Sequence, residues 1–297
     1  MTSEPEKNPD ETPKGTSDGI KDQKMENATE VKVMPVDAPK EKDDAIELLK
    51  AMGFAAIIAL VIRSFLFEPF NIPSGSMFPT LLVGDYLFVE KYSYGYSKYS
   101  FPGDFLPITG RFFESPVKRG DVVVFRQPKH PEIDYIKRII GLPGDKIQMK
   151  EGRLYINGTI VQRDSQGTEN YRDEDTYNVY SKYIETLPNG VKHHTYEVSD
   201  DGPLDNTNEY DVPEGMYFAM GDNRDASLDS RVQDQVGFVP AENLIGRAAF
   251  IFYSTEGLNG QCNDEGTLAA LKNVACMFWT YPQNVRYNRI FRSVTSF

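Results

Sequence analysis

One stretch of this chain restricts its fold more than any other. Ala45–Phe67 is 23 residues long, and its centre, Ala51-Met-Gly-Phe-Ala-Ala-Ile-Ile-Ala-Leu-Val-Ile62, carries no polar side chain. As a helix rising about 1.5 Å per residue, it spans roughly 30 Å of hydrocarbon. Pro69 and Pro73 then stop a regular helix, because proline lacks an amide hydrogen and restricts the residue before it. Glu47, Lys50 and Arg63 lie near the two ends, where long side chains reach an interface. Ala45–Phe67 is therefore predicted to be a single transmembrane helix, a buried core helix being the competing reading. Lys40, Lys42 and Lys50 precede the span, and no Lys or Arg follows from Glu68 to Glu90. That asymmetry predicts a cytoplasmic N-terminus and an extracytoplasmic remainder. A long polar segment precedes the run and no small-x-small site follows it, so an uncleaved anchor is expected rather than a removable leader.

Residues 1–44 contain 12 acidic and 7 basic residues and no aromatic one. Such a segment buries too little apolar surface to offset its ordering entropy, and a disordered tail is predicted. The whole chain carries 44 acidic against 32 basic residues, a net charge of −12, which argues against nucleic acid as a partner. Two Cys and three His, none at ligand spacing, leave no recognisable metal site, and no cofactor is expected.

Beyond the span, the patterns are those of strands. Asp85-Tyr-Leu-Phe-Val-Glu90 alternates, and Asp121-Val-Val-Val-Phe-Arg126 is a short buried run. Lys146–Lys150, Arg153–Ile156 and Thr159–Val161 are separated by Glu151-Gly152 and Asn157-Gly158, which predicts a hairpin meander. Gly215–Gly221 and Ala248–Tyr253 read as two further buried strands. Residues 163–210 are polar, rich in Tyr and Asp, and weakly periodic, as in an insertion between two parts of one β core. Only Leu268–Phe278 has a helical pattern after the span.

Three segments are chemically unusual. Phe70-Asn-Ile-Pro-Ser-Gly-Ser-Met-Phe-Pro-Thr-Leu-Leu82 surrounds Ser74 and Ser76 with residues that impose an irregular backbone. In Asp134-Tyr-Ile-Lys-Arg-Ile-Ile-Gly-Leu-Pro-Gly-Asp145, strand alternation puts Tyr135, Lys137 and Ile139 on one face. A lysine there is either a snorkelling edge residue or a desolvated amine able to act as a neutral base. Gly221-Asp-Asn-Arg-Asp-Ala-Ser-Leu-Asp-Ser-Arg231 reads as a solvated turn or an orienting loop; its carboxylates lack EF-hand spacing and its arginines oppose a cation. His130, His193 and His194 lie in polar, loop-like sequence, and Cys262 and Cys276 have no base nearby in the chain. Serine with lysine is the nucleophile–base combination that remains.

Taken together and in order, the anchor, Ile72-Pro-Ser-Gly-Ser-Met-x-Pro-Thr-Leu81, the two strands opening on Gly-Asp, Tyr135-Ile-Lys-Arg-x-x-Gly-Leu-Pro-Gly-Asp145 and Gly221-Asp-Asn-Arg-Asp-x-Ser-x-Asp-Ser-Arg231 resemble bacterial type I signal peptidase (leader peptidase), the membrane-anchored Ser–Lys protease family. The resemblance covers most of residues 45–255. It implies Ser76 as nucleophile, Lys137 as general base, and Ser74 with the Ser76 amide as the oxyanion hole. It implies that Ser227 orients the lysine and that Asp229, Arg231 and Asn223 support the site. Phe70, Ile72, Leu81, Leu87, Tyr135 and Ile136 would line shallow apolar pockets for an Ala-x-Ala-like sequence before the scissile bond. The implied partners are signal-peptide-bearing preproteins and the lipid bilayer, and the implied location is the bacterial inner membrane, with the catalytic part on its outer side. Some members have two spans, whereas one is apparent here.

The expected fold class is mainly β: an antiparallel catalytic core with an inserted β-rich subdomain, preceded by one N-terminal transmembrane helix. Its expected parts are a tail (1–44), an anchor (45–67), a β core (68–150 and 208–256), an insertion (151–207) and a C-terminal extension with a short helix (257–297). In an oxidising compartment, Cys262 and Cys276 are expected to form a disulfide, two unpaired thiols being the alternative. Arg286, Arg289 and Arg292 read as a solvated face. Two other functions compete: a self-cleaving Ser–Lys protease of the repressor type, disfavoured by the span and the lack of a DNA-binding module, and a catalytically silent anchored β domain that binds secreted polypeptides.

Overall fold

Runs of β-branched and aromatic residues broken by Gly- and Pro-containing turns give this chain an antiparallel β architecture. The computed structural model describes residues 41–101, 109–173, 176–256, 276 and 281–294. Two units are distinguished, Met1–Leu49 and Lys50–Phe297, and every strand among the described residues belongs to the second.

The apolar stretch is helical over Glu41–Phe65 (α1), with Leu48, Leu49, Phe54, Ile57 and Leu60 all exposed. The helix thus stops two residues short of the predicted Phe67. Phe67–Asn71 instead forms an edge strand (β1) paired with Asp85–Glu90 (β2) in the register Phe67↔Glu90, so its amides are committed to a sheet. The start also differs, since Glu41–Asp44, assigned to the tail, are helical.

After β2 come Val122–Arg126 (β3), Asp134–Gly141 (β4), Lys146–Lys150 (β5), Arg153–Ile156 (β6), Thr159–Ile160 (β7), Gln162–Asp173 (β8), Thr176–Thr186 (β9) and Lys192–Glu197 (β10). Tyr210–Asp211 (β11), Met216–Met220 (β12), Val239–Pro240 (β13) and Leu244–Ser254 (β14) complete the set. A seven-stranded sheet runs β1-β2-β14-β3-β4-β12-β13; a four-stranded sheet runs β11-β5-β6-β7, and a three-stranded sheet β10-β9-β8. The meander turns carry positive φ at Glu151, Gly152, Asn157 and Gly158, the conformation that two-residue hairpins require.

Around β3 the large sheet is buried on both faces, which is why this strand reads as an unbroken apolar run. Val122 and Val124 pack with Ile72, Leu81, Leu87 and Ile136 on one side, while Val123 and Phe125 pack with Ile139, Ala219 and Val239 on the other. A further cluster, including Ile140, Ile147, Leu154, Phe218 and Met220, joins β4 and β12 to the four-stranded sheet.

The polar stretch 163–210 proves richer in strand than its weak periodicity suggests. Its buried carboxylate Glu185 finds a cation outside the stretch: Arg224 donates to it at 2.9 and 2.5 Å, with both side chains buried. Arg289 likewise is not on a solvated face. It is buried and ion-paired to Asp85 at 2.5 Å, because Asp85, wholly buried at the start of β2, requires a cation. The expected helix Leu268–Phe278 falls outside the described residues except for Cys276, which is helical and disulfide-bonded; Cys262 also lies outside them.

Candidate active site

Ser76 sits in a single 3-10 turn, Gly75–Met77, where the chain leaves the extended segment ending at Ser74. A side chain at 75 would place its Cβ 2.7 Å from the Phe78 ring, so glycine is what allows this turn to close. Lys137 projects from β4, whose register against β3 sets Val123 opposite it. The two side chains are 61 residues apart in sequence, and Lys137 Nζ donates to Ser76 Oγ at 2.7 Å.

Lys137 is 5% exposed, and its amine also lies 5.2 Å from the centre of the Tyr135 ring. Burial strips the ammonium of hydration and draws its pKa down to about 8, against the opposing attraction of Asp229 and Asp222; Arg231 reinforces the fall. No ion pair to Lys137 exists among the described residues, so desolvation prevails.

The segment Gly221–Arg231 clasps the serine turn. Asn223 donates its backbone N–H to the Ser76 carbonyl and its side-chain amide to the Gly75 carbonyl, both at 3.1 Å. Asp229 accepts from Gly221 N–H at 3.0 Å and from Arg231 Nε at 2.9 Å. Burial pushes its carboxyl up, but the Arg231 guanidinium, helped by the Gly221 N–H and the Ser227 hydroxyl, holds it below the usual range. The Ser227 hydroxyl is buried against Gly221, on the side of Asp229, and makes no hydrogen bond to Lys137 among the described residues. A Cβ at 221 would overlap that hydroxyl and lie 2.5 Å from the Ser76 carbonyl oxygen.

A cavity of about 410 Å³ opens beside the pair. Phe70, Ser74, Ser76, Tyr135, Ile136 and Lys137 line it. Ile72, Leu81 and Leu87 do not: at most 2% exposed, they form the core behind the wall. Pro73, Ile133, Ala226 and Leu228 take their places on the cavity surface. Ala226 and Leu228 flank Ser227 and were discoverable from that adjacency; Ile133 follows the less informative loop before β4.

The structure also brings in residues that the motifs left without a role. Arg138 grips Asp222 with two bonds, of 2.8 and 2.6 Å, and Thr80 donates to the same carboxylate at 2.5 Å. His193 and His194 lie in β10 rather than in a loop, because β10 pairs along its whole length with β9. His193 is buried 3.5 Å from Glu185, and burial together with Arg138 and Arg224 keeps its ring well below the usual pKa, hence neutral.

Residues 45–253 match the family model described as signal peptidase, peptidase S26. Signal peptidase I of Rickettsia akari is 46% identical over 250 residues, covering 82% of this chain and 90% of that protein. The Rickettsia canadensis signal peptidase I is 45% identical over 253 residues, covering 82% and 92%. Among solved structures, a signal peptidase I from Enterococcus faecalis V583 aligns with 45% of this chain and 97% of its own, at 26% identity and a TM-score of 0.27.

Proposed function

We propose, since the chain belongs to the signal peptidase family, peptidase S26, and is a serine endopeptidase of the signal peptidase I type, that it removes signal peptides from exported preproteins by a Ser76–Lys137 dyad. The observation carrying this reading is the 2.7 Å contact between a buried amine and a serine hydroxyl at the edge of an apolar cavity. Once the amine is neutral, the Ser76 hydroxyl donates along that same contact to the Lys137 lone pair, and the oxygen attacks the scissile carbonyl. The protonated lysine then returns the proton to the leaving amine. The Ser76 N–H and the Ser74 hydroxyl are the proposed oxyanion donors; Ser74 lines the cavity, and its hydroxyl is not spent on capping the following turn. Asp229, Arg231 and Asn223 are positioning residues that hold the Gly221–Arg231 segment against the serine turn, and Ser227 is proposed to reach the lysine when substrate covers the cavity.

A cavity walled by Phe70, Tyr135, Ile136 and Leu228 suits small apolar side chains, which supports a preference for Ala-x-Ala-like sites. Its pH profile tests the dyad. With a lysine near 8, kcat/KM for an Ala-x-Ala preprotein is expected to rise about tenfold per pH unit below pH 8 and to level off above it. A plateau that continues unchanged down to pH 5 contradicts a lysine base.

Anchoring is the second part of the proposal. Ala45–Phe65 is long and apolar enough to cross a bilayer, and its apolar stretch is exposed, although Ser64 near its end is buried. A helix apolar on every side and covered by nothing is stable in lipid and unstable in water. The lysines before it support a cytoplasmic N-terminus, with the cavity on the outer side of the inner membrane. The full chain is expected to stay with membranes through alkaline carbonate extraction, and a chain lacking residues 1–65 to be released. Release of the full chain refutes a spanning anchor.

A further inference from the structure

Glu197 ends β10, next to the loop that clasps Ser76. It is 1% exposed, and neither carboxylate oxygen has a hydrogen-bond partner. Its nearest cation, Arg163 Nη1, stands 3.6 Å from Oε1 and is already bonded to Asp200 at 3.0 Å. Asp205 is fully buried: Oδ2 accepts from Gly202 N–H at 2.6 Å, while Oδ1 has no partner. Asp225, exposed at the rim, accepts from Val198 and Ser199 N–H at 2.7 and 3.0 Å through Oδ2. One oxygen from each of the three carboxylates lies within 4.8 Å of the other two. Of the other nearby guanidiniums, Arg224 is committed to Glu185 and Arg231 to Asp229.

Three converging carboxylates, two of them buried with unpartnered oxygens, are stable only if protons or a cation neutralise them. We propose that Glu197, Asp205 and Asp225 form a divalent-cation site of the calcium type, outside the Ser76–Lys137 centre. The donors are all hard anionic oxygens, which suit Ca²⁺ or Mg²⁺ and not zinc. Gly202 leaves the approach open, since a Cβ there would come 3.0 Å from Asp225 Oδ1 and 3.1 Å from Asp205 Oδ2. Burial raises the Glu197 carboxyl to about 9 and Asp205 in the same direction, a cost that a bound cation relieves. A role follows from the neighbours. Tyr196 N–H donates to the Asp222 carbonyl, and Arg224 N–H to the Tyr196 carbonyl, at 2.9 Å each. An ion joining Glu197 to Asp225 therefore fastens β10 to the segment bearing Asn223, Ser227 and Asp229. The site stands independently of the peptidase mechanism.

The test uses the full chain in detergent, stripped with a chelator and titrated with CaCl2 or MgCl2. Calorimetry is expected to find a single Ca²⁺ site with a Kd of roughly 0.1–1 mM. Ca²⁺ at about 5 mM is expected to raise the thermal midpoint by about 3 °C or more. Glu197→Gln and, separately, the exposed Asp225→Asn should each abolish that shift. Glu197→Gln in chelator should melt no lower than the wild type, because without a cation the buried carboxyl has no hydrogen-bond partner to lose, and Asp225→Asn decides the matter if that variant does not fold. No shift with Ca²⁺, Mg²⁺ or Mn²⁺ up to about 10 mM overturns the proposal, as does an undiminished shift in both variants. So does a chelator-stripped Glu197→Gln that melts higher while calcium leaves the wild type unchanged, which identifies shared protons as the neutralising charge.

Discussion

Ser76→Ala and Lys137→Met are each expected to slow preprotein cleavage by at least about 10³-fold, and the double variant by little more than either alone. In the proposed mechanism the two side chains act through one 2.7 Å contact, so losing either member removes the activated nucleophile. Stability should move the other way for the lysine. Its folded pKa of about 8 lies below its unfolded value of 10.5, so folding disfavours the charged form. The cost is fully present below pH 8 and fades as pH rises from 8 to 10.5. At pH 7 it amounts to about 3 kcal/mol, of which about 1 kcal/mol is returned by the hydrogen bond to Ser76. Lys137→Met is thus expected to melt higher than the wild type at pH 7, with the advantage shrinking toward pH 10. Gel-based cleavage of an Ala-x-Ala preprotein and thermal unfolding at the two pH values check both halves. A Lys137→Met protein that keeps a tenth of wild-type activity removes the lysine from the mechanism.

Asp222→Ala is expected to destabilise the protein by about 3–5 kcal/mol, because it leaves Arg138 buried with no carboxylate. Arg138 and Asp222 are at most 4% exposed, and Asp222 also accepts from Thr80, just beyond the serine turn. Replacing both partners with apolar residues, Arg138→Met with Asp222→Leu, should recover much of that loss, since no unpaired charge remains. Asp222 raises the Lys137 pKa. Its milder replacement, Asp222→Asn, is therefore expected to move the acid limb of the pH–rate profile to lower pH, while lowering stability. Denaturant unfolding and a pH series on the same preparations measure both effects. Equal stability of Asp222→Ala and wild type contradicts the buried-pair account.

What could be read from the chain, and what could not, divides by range. Glu151-Gly152 and Asn157-Gly158 announce their hairpins because two-residue turns are governed by local φ preferences. The apolar run of β3 announces burial on both faces for a similarly local reason. Ile72, Leu81 and Leu87 are apolar and close to Ser76 in sequence, yet nothing local separates a core position from a cavity wall. That distinction depends on which side chains distant strands cover, and these turn into the core while Phe70 and Leu228 face the cavity. The insertion is legible as β-rich, but its individual strands are not, because burial there is satisfied by ion pairs such as Arg224–Glu185, which carry no hydrophobic period.

By itself, the sequence determined the membrane-length helix, the antiparallel hairpins and the narrowing of chemistry to serine and lysine, since each rests on composition or on contacts a few residues apart. Only the tertiary structure decided that the lysine is buried and 2.7 Å from Ser76, that Arg138 closes on Asp222, and that three carboxylates from separate segments share one recess. Those outcomes depend on the strand order β3-β4-β12 and on where the chain returns after β9. Desolvation, which moves the lysine and loads the carboxylates, exists only once distant segments have excluded water together.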